Sequence, residues 1–306
     1  MNNQELIQKM KKDMELRNFS HYTYDSYLGK TKDLIKYFGE KNLEEVTVDE
    51  LRTFLLEHLK DKRKLEDSSI NYYNSVIRFV YEVTLDKVLN KRQLPMRKKK
   101  KKMYKVLIKE ELSTFFNAVD DFKFKTIFML IYGSGLRIGE IEKLQVQDID
   151  SKNMRIFVRE GKGNKERYTV LPEKSLEMLR EYWTKYRPKG IDSDAMFFDA
   201  TNKPINVYVI RTHFREYRRK AGISEEYRVH GLRHNFATNL IENGADILEV
   251  KELLGHSNIR STMVYVHIAN KDVKVKSPLD VLMEGEENGE NSGNIIYRLE
   301  AIYDIE

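Results

Sequence analysis

MRIFVREGKGNKERYTVL, residues 154–171, decides the fold class. Residues 154–159 alternate apolar and polar side chains with the period of a half-buried strand, and residues 167–171 resume that run. Between them Gly161, Lys162, Gly163 and Asn164 are turn formers, so the stretch reads as a β-hairpin. On either side of it the apolar period changes to that of a helix. Helices are expected over 109–119, 122–132, 136–144, 172–186, 206–221, 232–243, 247–254 and 259–267. Gly133 and Gly135 break one helix before the next begins, and Gly244 and Gly255 stand where C-caps belong. The expected fold is mainly α with one small antiparallel β-sheet.

Further upstream, residues 3–90 carry only helical spacing. Tyr22 to Tyr37 repeats apolar and aromatic residues at that period and meets Gly39. Thr47 and Glu50 form a capping box ahead of Leu51, Phe54 and Leu55. A helix from Ser68 or Ser69 places Ile70, Tyr73, Val76, Ile77 and Val80 on one face. Residues 91–105 read KRQLPMRKKKKKMYK, with nine Lys or Arg and a helix-breaking Pro95. Like charges at that density repel and extend the chain, which makes 91–105 a linker between domains 1–90 and 106–270. Within it Arg97, Lys98, Lys99, Lys100, Lys101 and Lys102 are the candidates to lie along phosphates. A solvated basic linker has the same composition.

The chain has 306 residues and a net charge of +6, unevenly spread. Residues 284–306 hold seven acids and Arg298 as the one base, so the remaining body carries about +12. A basic body with an acidic end points to a polyanionic partner, most simply nucleic acid. With no cysteine, disulfides and thiolate metal sites are excluded, which agrees with a cytoplasmic setting. No apolar run is long enough to span a membrane, and the first residues lack the apolar core of a secretory signal.

Four words carry chemistry. YGSGLRIGEIEKL, 132–144, sets Arg137 between a glycine-rich break and an amphipathic helix, a place where a guanidinium can meet a phosphate, with Glu140 able to orient it. GKGNKER, 161–167, puts Lys162 on a turn from which it can donate a proton, with Lys165 and Arg167 as phosphate contacts. VHGLRHNFATNLIENGAD, 229–246, sets His230 and Arg233 three apart on one helix face. His234 is four residues from His230 and could form a two-histidine metal face. There is no HExxH and no suitably spaced acid, so no metal is expected. LLGHSNIRSTMVYVH, 253–267, places His256 at a turn nine residues before Tyr265. A lone tyrosine on a helix is ordinarily a core or surface residue; its company here is what singles it out.

In this order the four words resemble the tyrosine recombinase (phage integrase) family, in its Xer-like and mobile-element branches. The resemblance covers about 106–268, and the helical 1–90 matches the family's core-binding domain in kind. It implies an N-terminal helical core-binding domain followed by a catalytic domain. It also implies site-specific DNA cleavage and rejoining, with no cofactor. Arg137 and Arg233 would clamp the scissile phosphate. Tyr265 would attack it to form a 3′-phosphotyrosine, with a base such as His230. His256 would hydrogen-bond the phosphate and Lys162 would protonate the leaving 5′ oxygen. The partners implied are double-stranded DNA bearing a specific recombination site and further copies of the chain, up to a tetramer on DNA. An accessory DNA-bending or directionality factor stays open, as does the choice between mobile-element integration or excision and chromosome or plasmid resolution. Residues 271–306 would be a tail with a trans-docking segment at 272–283 and an acidic spacer, though a disordered end has the same composition. The competing readings are a non-cleaving DNA binder of the same fold, a type IB topoisomerase-like enzyme, and a metal hydrolase using His230 and His234.

Overall fold

The computed structural model describes residues 1–98, 104–161 and 165–269. Lys99 to Lys102, Lys162 and the tail 271–306 lie outside the described residues, and so does the side chain of Lys165. The chain folds as two units, Met1–Lys102 and Met103–Glu306.

Among its described residues, the regular structure of the first unit is all helical. In α1 (Asn3–Leu16) Leu6, Met10 and Met14 recur every fourth residue and are fully buried, while Asn2 and Glu5 close a capping box at its start. Helix α2 (His21–Phe38) ends at Gly39, as its sequence predicts. The Thr47–Glu50 capping box opens α3 (Val48–Thr53), which widens into a π-helical stretch over Phe54–Lys62. Helix α4 (Asp67–Arg78) begins one residue before the expected serines and continues in the same wider winding through Phe79–Thr84. Its predicted face of Ile70, Tyr73, Val76, Ile77 and Val80 is buried.

The basic segment is less of a free linker than its charge suggests. Leu94 is buried, and its carbonyl accepts from Arg78 Nη2 at 2.7 Å. Asn71 holds the Arg97 backbone from both sides, at 2.8 and 3.0 Å, and the Arg97 side chain pairs with Asp67. Residues 94–97 are therefore part of the first unit. Burial of Leu94 and amide hydrogen bonds outweigh the local repulsion.

The second unit is built around α6 (Phe122–Ser134), which buries Phe124, Ile127, Phe128, Leu130 and Ile131 on nearly all sides. Helix α5 (Lys109–Ala118) precedes it and the short α7 (Ile138–Glu142) follows. The sheet is antiparallel, in the order β1 (Ile149–Asp150), β2 (Arg155–Gly161), β3 (Lys165–Val170). The β2–β3 pair is the expected hairpin, with a register shift between Val158 and Gly161. Strand β1 goes beyond the sequence expectation, since two residues are too few to show alternation. Helices α8 (Glu173–Glu181), α9 (Val207–Lys220), α10 (His230–Glu242), α11 (Ile247–Leu254) and α12 (Arg260–Ile268) complete the described unit. Helix α10 starts two residues earlier than the apolar pattern implies, so His230 is its first residue. The pattern misleads because α10 buries polar residues, Arg233, His234 and Asn235, beside Leu232 and Phe236. Asn235 holds both backbone groups of Leu107, at 3.1 and 2.6 Å, and accepts from Tyr227 Oη at 2.8 Å. That fastens the chain entering this unit to α10. Among the described residues no helix is long and apolar enough to cross a membrane.

Candidate functional site

Two helix ends build the centre of the site. Helix α6 stops at Gly135 and α11 at Gly255, both in the left-handed conformation with φ of 62° and 63°. A Cβ at Gly135 would lie 2.4 Å from the Phe236 ring, and one at Gly255 would lie 2.7 Å from Arg167 Cδ. Only glycine fits both the conformation and the space. The carbonyls released at these ends face arginines. Arg233 Nη1 donates to Gly135 O at 2.5 Å and Nη2 to Leu254 O at 2.6 Å, while Arg137 Nη2 reaches Gly255 O at 3.4 Å.

Arg233 is completely buried, which would be costly for an unpaired charge. Glu140 supplies much of the compensation. This carboxylate, 8% exposed, lies 3.8 Å from Arg233 and takes two bonds from Arg167, at 2.8 and 2.9 Å. It also accepts from Arg137 Nη1 and from the Arg137 backbone N–H, each at 2.7 Å. Burial pushes the Glu140 carboxyl up, but Arg167, the Arg137 N–H and Arg233 outweigh it and hold it down at about 2. Burial, then the charge of Arg137, lowers Arg233 to about 9, so it is still a cation near neutral pH. Among the described residues Arg233 Nε has no protein partner. Three guanidinium groups thus converge on one carboxylate, leaving an excess of positive charge suited to an anion.

His256 follows Gly255 directly. Its Nε2 lies 3.3 Å from Arg233 Nη2, and its Nδ1 lies 3.0 Å from Thr262 Oγ1. A guanidinium only donates, which assigns Nε2 as acceptor and the ring proton to Nδ1. Burial and the charges of Arg233 and Arg137 lower His256 to about 4, so it is neutral at physiological pH.

Tyr265, on α12, is 2% exposed, and its ring lies nearly parallel to that of His256 with centroids 6.3 Å apart. Its hydroxyl lies 2.9 Å from His234 Nδ1. Burial raises the phenol to about 12 against the opposing charge of Arg233. His230, at the solvent-facing start of α10, packs edge-on against His234 with centroids 4.7 Å apart. Desolvation, then the charges of Arg233 and Arg137, lowers His230 below its ordinary value.

Of the residues singled out by sequence, Arg137, Arg233 and His256 meet in one network, with the Tyr265 ring beside His256 and His230 at the edge. Arg167 lies inside it, but its guanidinium is bonded to Glu140 and to Leu253 O at 2.8 Å rather than held out toward solvent. Arg97 belongs to the first unit, paired with Asp67, and Lys98 is exposed there. Two participants have other sequence readings or none. His234, considered above only as half of a metal pair, is the residue bonded to Tyr265; no group of three or more metal-ligating side chains occurs among the described residues. Tyr104 stacks on the His234 ring with centroids 4.0 Å apart. The sequence signal for His234 is its i+4 spacing from His230, and for Tyr104 there is none.

Comparison with known proteins adds findings of three kinds. Residues 105–272 match the family model described as the phage integrase family, and residues 6–91 match the phage integrase N-terminal SAM-like domain. The chain is 33% identical to the tyrosine recombinase XerC of Natranaerobius thermophilus, covering 82% of this chain and 90% of the relative. It is 32% identical to the tyrosine recombinase XerA of Pyrococcus furiosus, covering 82% of this chain and 89% of the relative. In fold it is similar to a lambda integrase dimer bound to a COC′ core site. That likeness has a TM-score of 0.71 and 16% identity, over 91% of this chain and all of that one.

Proposed function

The chain belongs to the phage integrase family of tyrosine recombinases, enzymes that cleave and rejoin DNA at specific sites, and we propose that Tyr265 is the nucleophile with which it does so. The observation that carries this is that Tyr265 is hydrogen-bonded to His234, whose neighbour in α10, Arg233, is joined by hydrogen bonds and ion pairs to His256, Glu140 and Arg137.

Arg137 and Arg233 clamp the scissile phosphate and stabilise the charge of the pentacoordinate transition state. Removing one such donor costs roughly 3–4 kcal/mol of barrier. Tyr265 Oη attacks phosphorus as the P–O5′ bond breaks, leaving a 3′-phosphotyrosine. Lys162 gives its proton to the departing O5′. The bond energy stays in the covalent link, so a 5′ hydroxyl from a second strand reverses the step. Glu140 and Arg167 act by holding the clamp: a buried carboxylate keeps guanidiniums of like charge in register before the phosphate arrives. His256, as an acceptor from Arg233, orients that arginine toward the phosphate; with its proton on Nε2 instead, it would donate to the phosphate itself. The partner is duplex DNA carrying a recombination site, engaged along the basic run Lys98–Lys102 and at Lys165. Two sites, each bound by two copies, make a tetramer on DNA. The setting that fits is integration and excision of a mobile element, or resolution of chromosome or plasmid multimers, in the cytoplasm.

The test is covalent trapping. Nicked duplexes tiled across the DNA flanking the gene are incubated with the protein in EDTA and separated under denaturing conditions. The expected result is a heat-stable protein–DNA adduct with wild type and none with Tyr265→Phe. An adduct that persists in Tyr265→Phe removes the assignment, and binding without any adduct on any fragment favours a non-cleaving binder.

A further inference from the structure

We propose that His234, rather than His230, is the positioning residue that aims the Tyr265 hydroxyl for strand cleavage. The contact is direct, with Nδ1 and Oη 2.9 Å apart, and both side chains are buried, at 7% and 2% exposure. The His234 ring is fixed on two sides. Tyr104 stacks on it at 4.0 Å and 22°, and His230 packs edge-on at 4.7 Å and 80°. His230 therefore buttresses the ring that touches the nucleophile.

Burial and neighbouring cations hold His234 down at about 3, and the phenol stands near 12. The resting pair is neutral, so one direction of the bond is natural: Tyr265 Oη–H donates and Nδ1, with the ring proton on Nε2, accepts. That bond fixes the rotamer of a side chain whose oxygen must meet phosphorus in line. A misplacement of about 1 Å at such an atom costs about 100-fold in rate. In the step itself the Oη–P bond forms as the P–O5′ bond breaks. The phenolic proton leaves to solvent, and O5′ takes its proton from Lys162. Rejoining returns a proton to Oη.

The proposal rests on Tyr265 being the nucleophile, and its test uses the fragment that yields the adduct described above. His234→Ala is expected to form adduct about 100-fold more slowly. His234→Asn, whose side-chain oxygen reaches the Nδ1 position, should recover to within about tenfold, the order of one imperfect hydrogen bond. His234→Gln, which extends toward the Nε2 position, should not recover. A substrate with sulfur in place of the bridging O5′ leaves without a proton. It should rescue Lys162→Ala but not His234→Ala. Melting temperature and DNA retention of each variant separate loss of fold from loss of cleavage. A His234→Ala protein that cleaves at the wild-type rate overturns the proposal while leaving Tyr265 in place. Equal rates for the folded Asn and Gln variants overturn it too. If wild type forms no adduct at all, the activity fails first and this proposal falls with it.

Discussion

Glu140 shows what a single buried charge does here. Arg167 is as buried as its partner, each 8% exposed, and Arg233 has no exposure at all. Replacing the carboxylate in Glu140→Gln leaves those cations facing one another without compensation. A loss of roughly 3–5 kcal/mol of stability is expected, read as a lower urea midpoint at unchanged slope. A second prediction concerns acid. His234 and His256 stand at about 3 and 4 in the folded protein, both below their ordinary 6.5. As the pH falls through 6.5 the unfolded chain takes up these protons and the folded one does not. Stability present above that pH is therefore lost progressively down to the folded values, where the loss levels off. His234 alone accounts for something on the order of 2 kcal/mol by about pH 5. Urea titrations across that window should show a shallower pH slope in His234→Asn; an unchanged slope would place the titration elsewhere. At this scale the sequence is informative about charge and silent about partners. Arg137, Arg233, His256 and Tyr265 stand out because their types and order are distinctive. That Tyr265 meets His234 and not His230 depends on how α12 is placed against α10, which no spacing in either segment encodes.

Helix ends carry the geometry of the site. Gly135 and Gly255 release carbonyls that Arg233 and Arg137 collect, and both need a backbone that a side chain resists. Gly135→Ala places its Cβ 2.4 Å from the ring of Phe236, which is itself buried. Left-handed strain of about 1–2 kcal/mol adds to an overpacking cost of about 1–3 kcal/mol. Thermal melting should therefore fall clearly, and adduct formation should fall further than melting explains because Arg233 loses its anchor. Gly139→Ala, where a Cβ meets nothing within 4 Å, is the control expected to leave melting little changed. Most elements are legible because apolar period and cap residues agree, as at the Thr47 box and at Gly39. The start of α10 is displaced in the apolar pattern because its buried face is partly polar. Strand β1 leaves no pattern of its own, because pairing with Arg155 and Ile156 is what makes it a strand. Residues 94–97 read as linker because charge hides one decisive burial, that of Leu94.

Across the whole molecule the dominant quantity is charge. The chain carries +6, with the acidic residues 284–306 offsetting a body near +12. Such a body binds duplex DNA chiefly by releasing counterions, and removing one phosphate-binding cation flattens the slope of log K against log salt by about 0.9. Lys98 is exposed, whereas Arg97 is paired with Asp67 and has its backbone tied to Asn71. The two positions should therefore behave differently although they are neighbours. Changing Lys98 through Lys102 to Gln should weaken binding by the same factor on specific and unrelated duplexes and flatten the salt slope by up to about 4.5. Melting of the first unit should stay where it was. Arg97→Gln should do the reverse, lowering stability by removing the Asp67 pair while moving the salt slope little. Fluorescence anisotropy on one duplex over a salt series, with melting of the same preparations, decides it. An unchanged slope in the five-lysine variant would mean that the basic run does not lie along phosphates, and the DNA would then have to be held by the folded faces of the two units.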